Sequence, residues 1–403
     1  MVKVFCKIQL LVLFCLIYNI AQGQQLTGTV SDKASGRRLA GASVYMSNSS
    51  LGCLTNQDGF FTLPKLPAGQ FELVISYVGF QTSVLTLTGL PDSSLVIALM
   101  SKESLLQEVV VRAYEKNGWA HWGFLFKTNF LGTSAYSDQC RIENPQDIQF
   151  SYSPSDNTLF ANNRQPIVII NKALGYRIEY DLEEFFYGFG SHLLTVTGYA
   201  YFKEMEGSAK KKSNWLKSRN RCYEGSMMQF LRAVWSGRSK EEGFEVRIMR
   251  TFPDAEKRRV QSIREGNPSF LGMPADSIKY YSAVLNQHTG SRYLYRDPVD
   301  PEQFITRIRP QSVALLFDEY LRVSYPRKKQ DPEYLARNLQ ATYDSCVTAV
   351  LQLEKQEPIK IFPFGNYADP VNLIISGYWA WSEKVSTLLP LDFTPDGIKP
   401  NKP

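Results

Sequence analysis

From Leu26 to Met100, strand-length apolar runs are broken at short intervals by Gly28, Gly36, Gly41, the Asp58-Gly59 pair, Pro67-Ala68-Gly69 and Gly79. Glycines and Asp-Gly pairs sit where a β chain needs a tight reversal or a positive φ, so this spacing favours short strands over helices. Within the segment, Phe71, Leu73, Ile75 and Tyr77 alternate with Glu72, Val74, Ser76 and Val78, the period-two pattern of a strand with one buried face. The expectation is a small β-sandwich that folds on its apolar pattern alone.

The residues before it set the compartment. Met1–Gly23 opens with Lys3 and Lys7, continues through an apolar stretch from Ile8 to Ile20, and ends in Ala21-Gln22-Gly23. That is the pattern of a secretory signal peptide, cleaved before Gln24. The apolar stretch is shorter than the ~20 residues a spanning helix requires. Export to the periplasm, or to association with the outer membrane, is therefore expected. Removing the signal takes two lysines from a formal charge of +6, leaving +4, too mild a balance to call for nucleic acid. Cys53, Cys140, Cys222 and Cys346 remain, too far apart in sequence to form a disulfide scaffold or a CxxC metal pattern.

Five short motifs follow one another in the sandwich segment: Gly28-Thr-Val-Ser-Asp32, Gly36-Arg-Arg-Leu-Ala-Gly41-Ala-Ser-Val44, Thr55-Asn-Gln-Asp-Gly-Phe60, Leu66-Pro-Ala-Gly69 and Ser76-Tyr-Val-Gly-Phe80. In order and spacing they resemble the carboxypeptidase-like regulatory domain. The resemblance implies a prealbumin-like, seven-stranded β-sandwich over residues 24–104, an accessory or docking module rather than a peptidase. Leu105–Val111 is similar to the segment that precedes the plug in TonB-dependent receptors beginning with this domain. Fewer than 300 residues follow it, too few for a plug and a barrel of 22 strands at ~10 residues each plus loops. Residues 105–118 are read as a linker or edge strand.

Catalytic patterns are missing from the sequence. A zinc carboxypeptidase site needs closely spaced His and Glu with a distant second His. The chain's three histidines, His121, His192 and His288, are followed three residues on by Phe124, Thr195 and Ser291. There is no GxSxG elbow around Ser191-His192, and neither phosphate-binding glycine loop occurs. Asn56-Gln57-Asp58-Gly59 has too few carboxylates for calcium and reads as a hairpin reversal. The expectation is no catalytic residue, no metal and no cofactor.

Residues 119–403 read as one larger, β-rich α+β domain. Strands are expected over residues 147–153, 158–161, 166–171, 176–180 and 193–202, the last with both faces partly apolar and so central in its sheet. Ser226 with Gln229 forms a capping box for a helix that Gly237 ends, and Asp331-Pro332 starts another. Asn163–Tyr180, Tyr223–Arg232, Gly377–Trp381 and Leu388–Asp392 together resemble the uncharacterised C-terminal region of Bacteroidota proteins that carry the regulatory domain, a resemblance that implies identity without mechanism.

Two features are candidate partner contacts. Lys210–Arg221 places six cations, Lys211 and Lys212 among them, around Trp215, a composition suited to lipid phosphates or an acidic glycan. Trp379 and Trp381 would share a face if their segment were a strand, and exposed they would suit sugar stacking or a membrane interface. The function expected is a non-catalytic, exported binding or docking protein of the cell envelope, with an envelope protein or glycan as partner. The alternatives are a small outer-membrane β-barrel, for its aromatic content and alternation, and a hydrolase with an unrecognised site.

Overall fold

A computed structural model describes residues 25–63, 70–91, 93–102, 114–287, 292–309, 312–338 and 345–396. The signal segment and its cleavage point, Leu66–Gly69, Leu105–Val111, His288 and residues 397–403 lie outside the described residues.

The N-terminal unit is the seven-stranded sandwich. Its strands are β1 (Leu26–Asp32), β2 (Ser43–Met46), β3 (Gly52–Leu54), β4 (Phe60–Leu63), β5 (Gln70–Ser76), β6 (Ser83–Thr88) and β7 (Leu95–Leu99). One sheet runs β4-β1-β7, with β1 and β7 parallel, and the other runs β3-β2-β5-β6. Alternate residues meet between them: Val30, Val44, Leu63, Leu73 and Ile75 are fully buried. The Asn56–Phe60 turn is a hairpin device. Asn56 Oδ1 accepts from the amides of Asp58 (3.0 Å) and Phe60 (2.9 Å), and Gly59 adopts φ +67°.

The region read as one domain holds two separate cores. The first is built on α1 (Gly118–Phe130), β8 (Cys140–Ile142), β9 (Ile148–Ser153), β10 (Thr158–Asn163), β11 (Ile167–Asn171), β12 (Tyr176–Gly188), β13 (Leu194–Glu204) and α2 (Ala209–Tyr223). β12 is the long strand. One of its edges pairs with β13 along its length, and the other is shared between β11 and β10. β13 is not central: in its own sheet it pairs with β12 alone. Its two-sided apolar character comes from the sandwich, which lies against its far edge. Phe202 N–H donates to Ser49 O (3.0 Å), Ala200 N–H donates to Asn48 Oδ1 (3.1 Å), and the Tyr201 ring stacks on Tyr45 at 4.8 Å. Gly52 has no side chain because a Cβ there would lie 2.6 Å from the Tyr201 ring.

The second core follows α3 (Met227–Ser236) and α4 (Ser239–Glu242). A five-stranded sheet runs β15-β14-β18-β19-β21, made from β14 (Glu245–Arg250), β15 (Tyr293–Leu294), β18 (Tyr320–Lys329), β19 (Cys346–Leu353) and β21 (Leu373–Gly377). Strands β16 (Ile305–Arg309), β17 (Ser312–Leu315) and β20 (Ile359–Ile361) form a small sheet beside it. Helices α5 (Asp254–Gly266) and α6 (Ala275–Asn286) make a satellite hairpin between β14 and β15, while α7 (Pro332–Arg337) and α8 (Tyr378–Ser382) follow β18 and β21. Among the described residues the strands form five sheets of at most six strands, and none closes on itself as the barrel alternative requires.

The final described stretch binds the three units together. Tyr378 and Trp379 belong to the second core, Val385, Leu389 and Phe393 to the first, and Leu391 to the sandwich. Asp392 fixes its end, accepting from the Ser50 amide (2.7 Å) and from the Ser50 hydroxyl. Arg232 of α3 grips it from the other side: its guanidinium donates to Phe364 O, Leu391 O and Phe393 O, each at 3.0 Å. The Tyr223–Arg232 and Leu388–Asp392 motifs therefore meet in space as the two halves of one fastening.

Two outcomes follow. Arg232→Met leaves two strap carbonyls, Leu391 O and Phe393 O, and the neighbouring Phe364 O without their charged donor, and chemical denaturation should show a loss of about 3 kcal/mol, since single bonds to a charged group contribute ~1.5–3 kcal/mol. Lys384 lies in the strap with no ion-pair partner among the described residues, and burial lowers its pKa from 10.5 to about 8. Between those values the unfolded chain holds a proton that the folded chain has released, so this residue makes stability rise as pH climbs through that window. Lys384→Met should raise the melting temperature at pH 7 and remove that part of the rise, as read by paired melts of the two proteins across the window.

Candidate functional site

Where the three units meet they enclose a cleft of about 660 Å³. The sandwich contributes Asn48, Gln70, Glu72 and Thr86, and β12 and β13 contribute Tyr180, Glu183 and Tyr199. The end of α2, the start of α3, the β18–α7 junction, the stretch between β20 and β21, and the strap supply most of the rest, with Ser134 and Tyr136 from the segment after α1.

The chemistry of the floor comes from chain segments distant in sequence. Asp331 is the N-cap residue of α7, with Pro332 in the first turn, yet its carboxylate does not cap that helix. It accepts from the Tyr378 hydroxyl at 2.6 Å and from Arg221 Nη2 at 3.0 Å. Burial and the bond to Asp331 push the Tyr378 phenol well above its usual range. Lys328 Nζ donates to the carbonyls of Arg221 (2.7 Å) and Glu224 (2.8 Å), satisfying the C-terminal end of α2, and burial lowers its pKa. Glu383 accepts from the Met227 amide (3.0 Å) at the start of α3. Burial raises its carboxyl, against the opposing pull of that amide and of the Lys328 charge.

Cys222 also lines the cleft, and its thiol is pushed up to about 12 by burial. At neutral pH it is protonated and a poor nucleophile. Arg221, Lys328, Asp331 and Glu383 thus each join one structural element to another. The rest of the lining is rich in aromatic rings, Tyr136, Tyr180, Tyr199, Tyr367, Tyr378 and Trp381, and carries the carboxylates Glu72, Glu183 and Asp369.

Of the candidate partner contacts Trp215, Trp379, Trp381, Lys211 and Lys212, only Trp381 stands on this cleft. Its indole N–H donates to Thr133 Oγ1 (3.0 Å), and its ring packs 5.4 Å from Tyr378 and 5.5 Å from Tyr334. Trp379 faces no partner: it is 1% exposed, donates to Gly225 O (2.8 Å) and packs on Phe230. The reason is local, because the segment is helical and residues two apart on a helix point to nearly opposite sides. Trp215 is also withdrawn. It donates to Lys172 O (2.9 Å) and lies over Gly175, where a Cβ would come within 2.1 Å of the indole. Lys211 and Lys212 are exposed on the first turn of α2.

Among the described residues no group of three or more His, Cys, Asp or Glu side chains could hold a metal ion. His121 lies 3.2 Å from Glu115 and stacks on Trp122, and His192 lies 3.3 Å from the Tyr187 hydroxyl. Sequence reasoning missed Tyr136, Lys328, Asp331, Tyr378 and Glu383 as a set, because no short motif unites them. The Asp331-Pro332 helix start was the one local signal.

No curated protein matches the chain. Among solved structures, a type II cohesin–X-dockerin complex from Acetivibrio cellulolyticus aligns with 20% of this chain at 18% identity and a TM-score of 0.18. The chain spans 58% of the length of that protein. A putative membrane-associated protein of unknown function from Bacteroides fragilis aligns with 87% of this chain and 93% of its own length, at 10% identity and a TM-score of 0.16. Residues 26–111 match the sequence model of the CarboxypepD_reg-like domain, and the N-terminal sandwich is a domain of that kind.

Proposed function

We propose that this chain is an exported, non-catalytic binding protein of the cell envelope, and that it holds an uncharged, hydroxyl-rich ligand, a glycan segment, in the cleft where the three units meet. The observation that carries the reading is the division of labour within the cleft. The charged groups of its floor, Arg221, Lys328, Asp331 and Glu383, are bonded to one another or to helix ends, while its walls present tyrosines and a tryptophan, with the carboxylates Glu72, Glu183 and Asp369 also on the lining. Rings of this kind offer an apolar face together with a polar edge, which is what a sugar ring with its C–H face and equatorial hydroxyls requires. An anionic ligand would meet the carboxylates of Glu72, Glu183 and Asp369, and a charged group reaching the floor would have to displace an internal partner. The sandwich contributes one wall, consistent with its role as an accessory module.

A hydrolase is the second reading, because Asp331 and Glu383 line the same space and their environments differ: Arg221 and Tyr378 hold the first, while burial raises the second. Titration calorimetry against neutral envelope oligosaccharides distinguishes the two. Saturable binding without product formation is expected, and Trp381→Ala should weaken it at least about tenfold, the scale of one lost stacking contact. Cleavage of the oligosaccharide that Glu383→Gln abolishes would establish the hydrolase instead. No binding by any neutral oligosaccharide would end the glycan reading.

A further inference from the structure

The cations of α2 are left unassigned by the cleft, and their surroundings are unusual. Lys210, Lys211, Lys212 and Lys217 are all exposed, and so is Lys172 in the β11–β12 turn, whose carbonyl receives the Trp215 indole N–H. That bond, with Gly175 and Gly207 against the indole, fixes the turn beside the helix. None of the five lysines forms an ion pair among the described residues. Two carboxylates flank them: Glu204, engaged by Arg219 at 2.5 Å, and exposed Glu206. The first turn of the helix carries no acid, so three consecutive lysines stand at its positive end with no carboxylate of that turn to offset them.

We infer that this five-lysine patch docks the protein on a phosphate-bearing, anionic lipid surface. The nature of the patch selects that partner. Trp215 is buried, so no ring is free here to stack on a base or a sugar. The ammonium groups are borne on flexible stems from a helix and a neighbouring turn, and none of the five lysines lines the cleft. Such a surface reads charge density rather than shape, and a sheet of lipid phosphates supplies it. Each lysine near an anionic membrane adds about 1 kcal/mol, and the attraction fades with salt. Docking is therefore peripheral and reversible, and it needs no spanning helix.

The test is co-sedimentation of the purified protein with phosphatidylcholine vesicles, with or without phosphatidylglycerol, at low and high salt. Binding is expected only with the anionic lipid and should be lost in high salt. The triple variant Lys210→Ala, Lys211→Ala, Lys212→Ala should bind on the order of a hundredfold more weakly. Its melting temperature should be unchanged, since alanine favours the helix. Trp381→Ala should bind vesicles like the parent, which separates this inference from the cleft reading. Equal binding to both vesicle types, or an unchanged triple variant, would overturn it. So would failure to bind anionic vesicles alongside retention on an acidic polysaccharide.

Discussion

The strap of residues 378–393 is the constraint on which the rest of the structure depends. Each of the three cores takes side chains from it, and its backbone is held at three points. Val385 N–H donates to Phe130 O, Asn171 Nδ2 donates to Ser386 O, and Leu391 N–H donates to Asn48 O. A segment this short cannot leave one core without losing its place in the other two. Arg232 adds the second fastening, because a guanidinium can direct three donors at once to three carbonyls. The cleft is a consequence: it is the space left where the three units are held at one junction.

The sandwich also solves a problem for its neighbour. β13 would otherwise present a long free edge, a template for pairing with other chains. Asn48 and Ser49 cover that edge at Ala200 and Phe202, and the Tyr45–Tyr201 stack closes over it. The hydroxyl of Thr82 donates to Asp181, and Asn163 Nδ2 donates to the same carboxylate at 3.0 Å, so the seam continues through polar contacts along β12. This gives the regulatory-like domain a physical role within the chain: it completes a sheet edge and forms a wall of the cleft.

Much of the sandwich was legible in the sequence because its determinants are local. Alternation in β5, the Asn56–Phe60 turn and the recurring glycines each act over a few residues. The α3 helix was legible for the same reason, with one difference. Ser226 accepts from the Gln229 amide as a capping box predicts, but Gln229 Oε1 reaches back to the Gly225 amide, since Ser226 N–H is already bonded to Tyr223 O. The cleft was not legible. Asp331, Tyr378 and Glu383 meet through tertiary packing, and the placement of β13 depended on a partner more than 140 residues away. The tryptophan pair was misjudged on a period: two residues apart means one face in a strand and opposed faces in the helix found there.

The most direct test is native-state hydrogen exchange across increasing denaturant, following the amides of Leu391, Val385 and Phe202. These bond respectively to the sandwich, to α1 and across the seam. If the strap unites the three cores, the amides will exchange through one shared opening with a common free energy and a common denaturant dependence. If Leu391 and Val385 instead exchange through shallow local openings while Phe202 stays protected, the strap is an ornament on cores that stand without it.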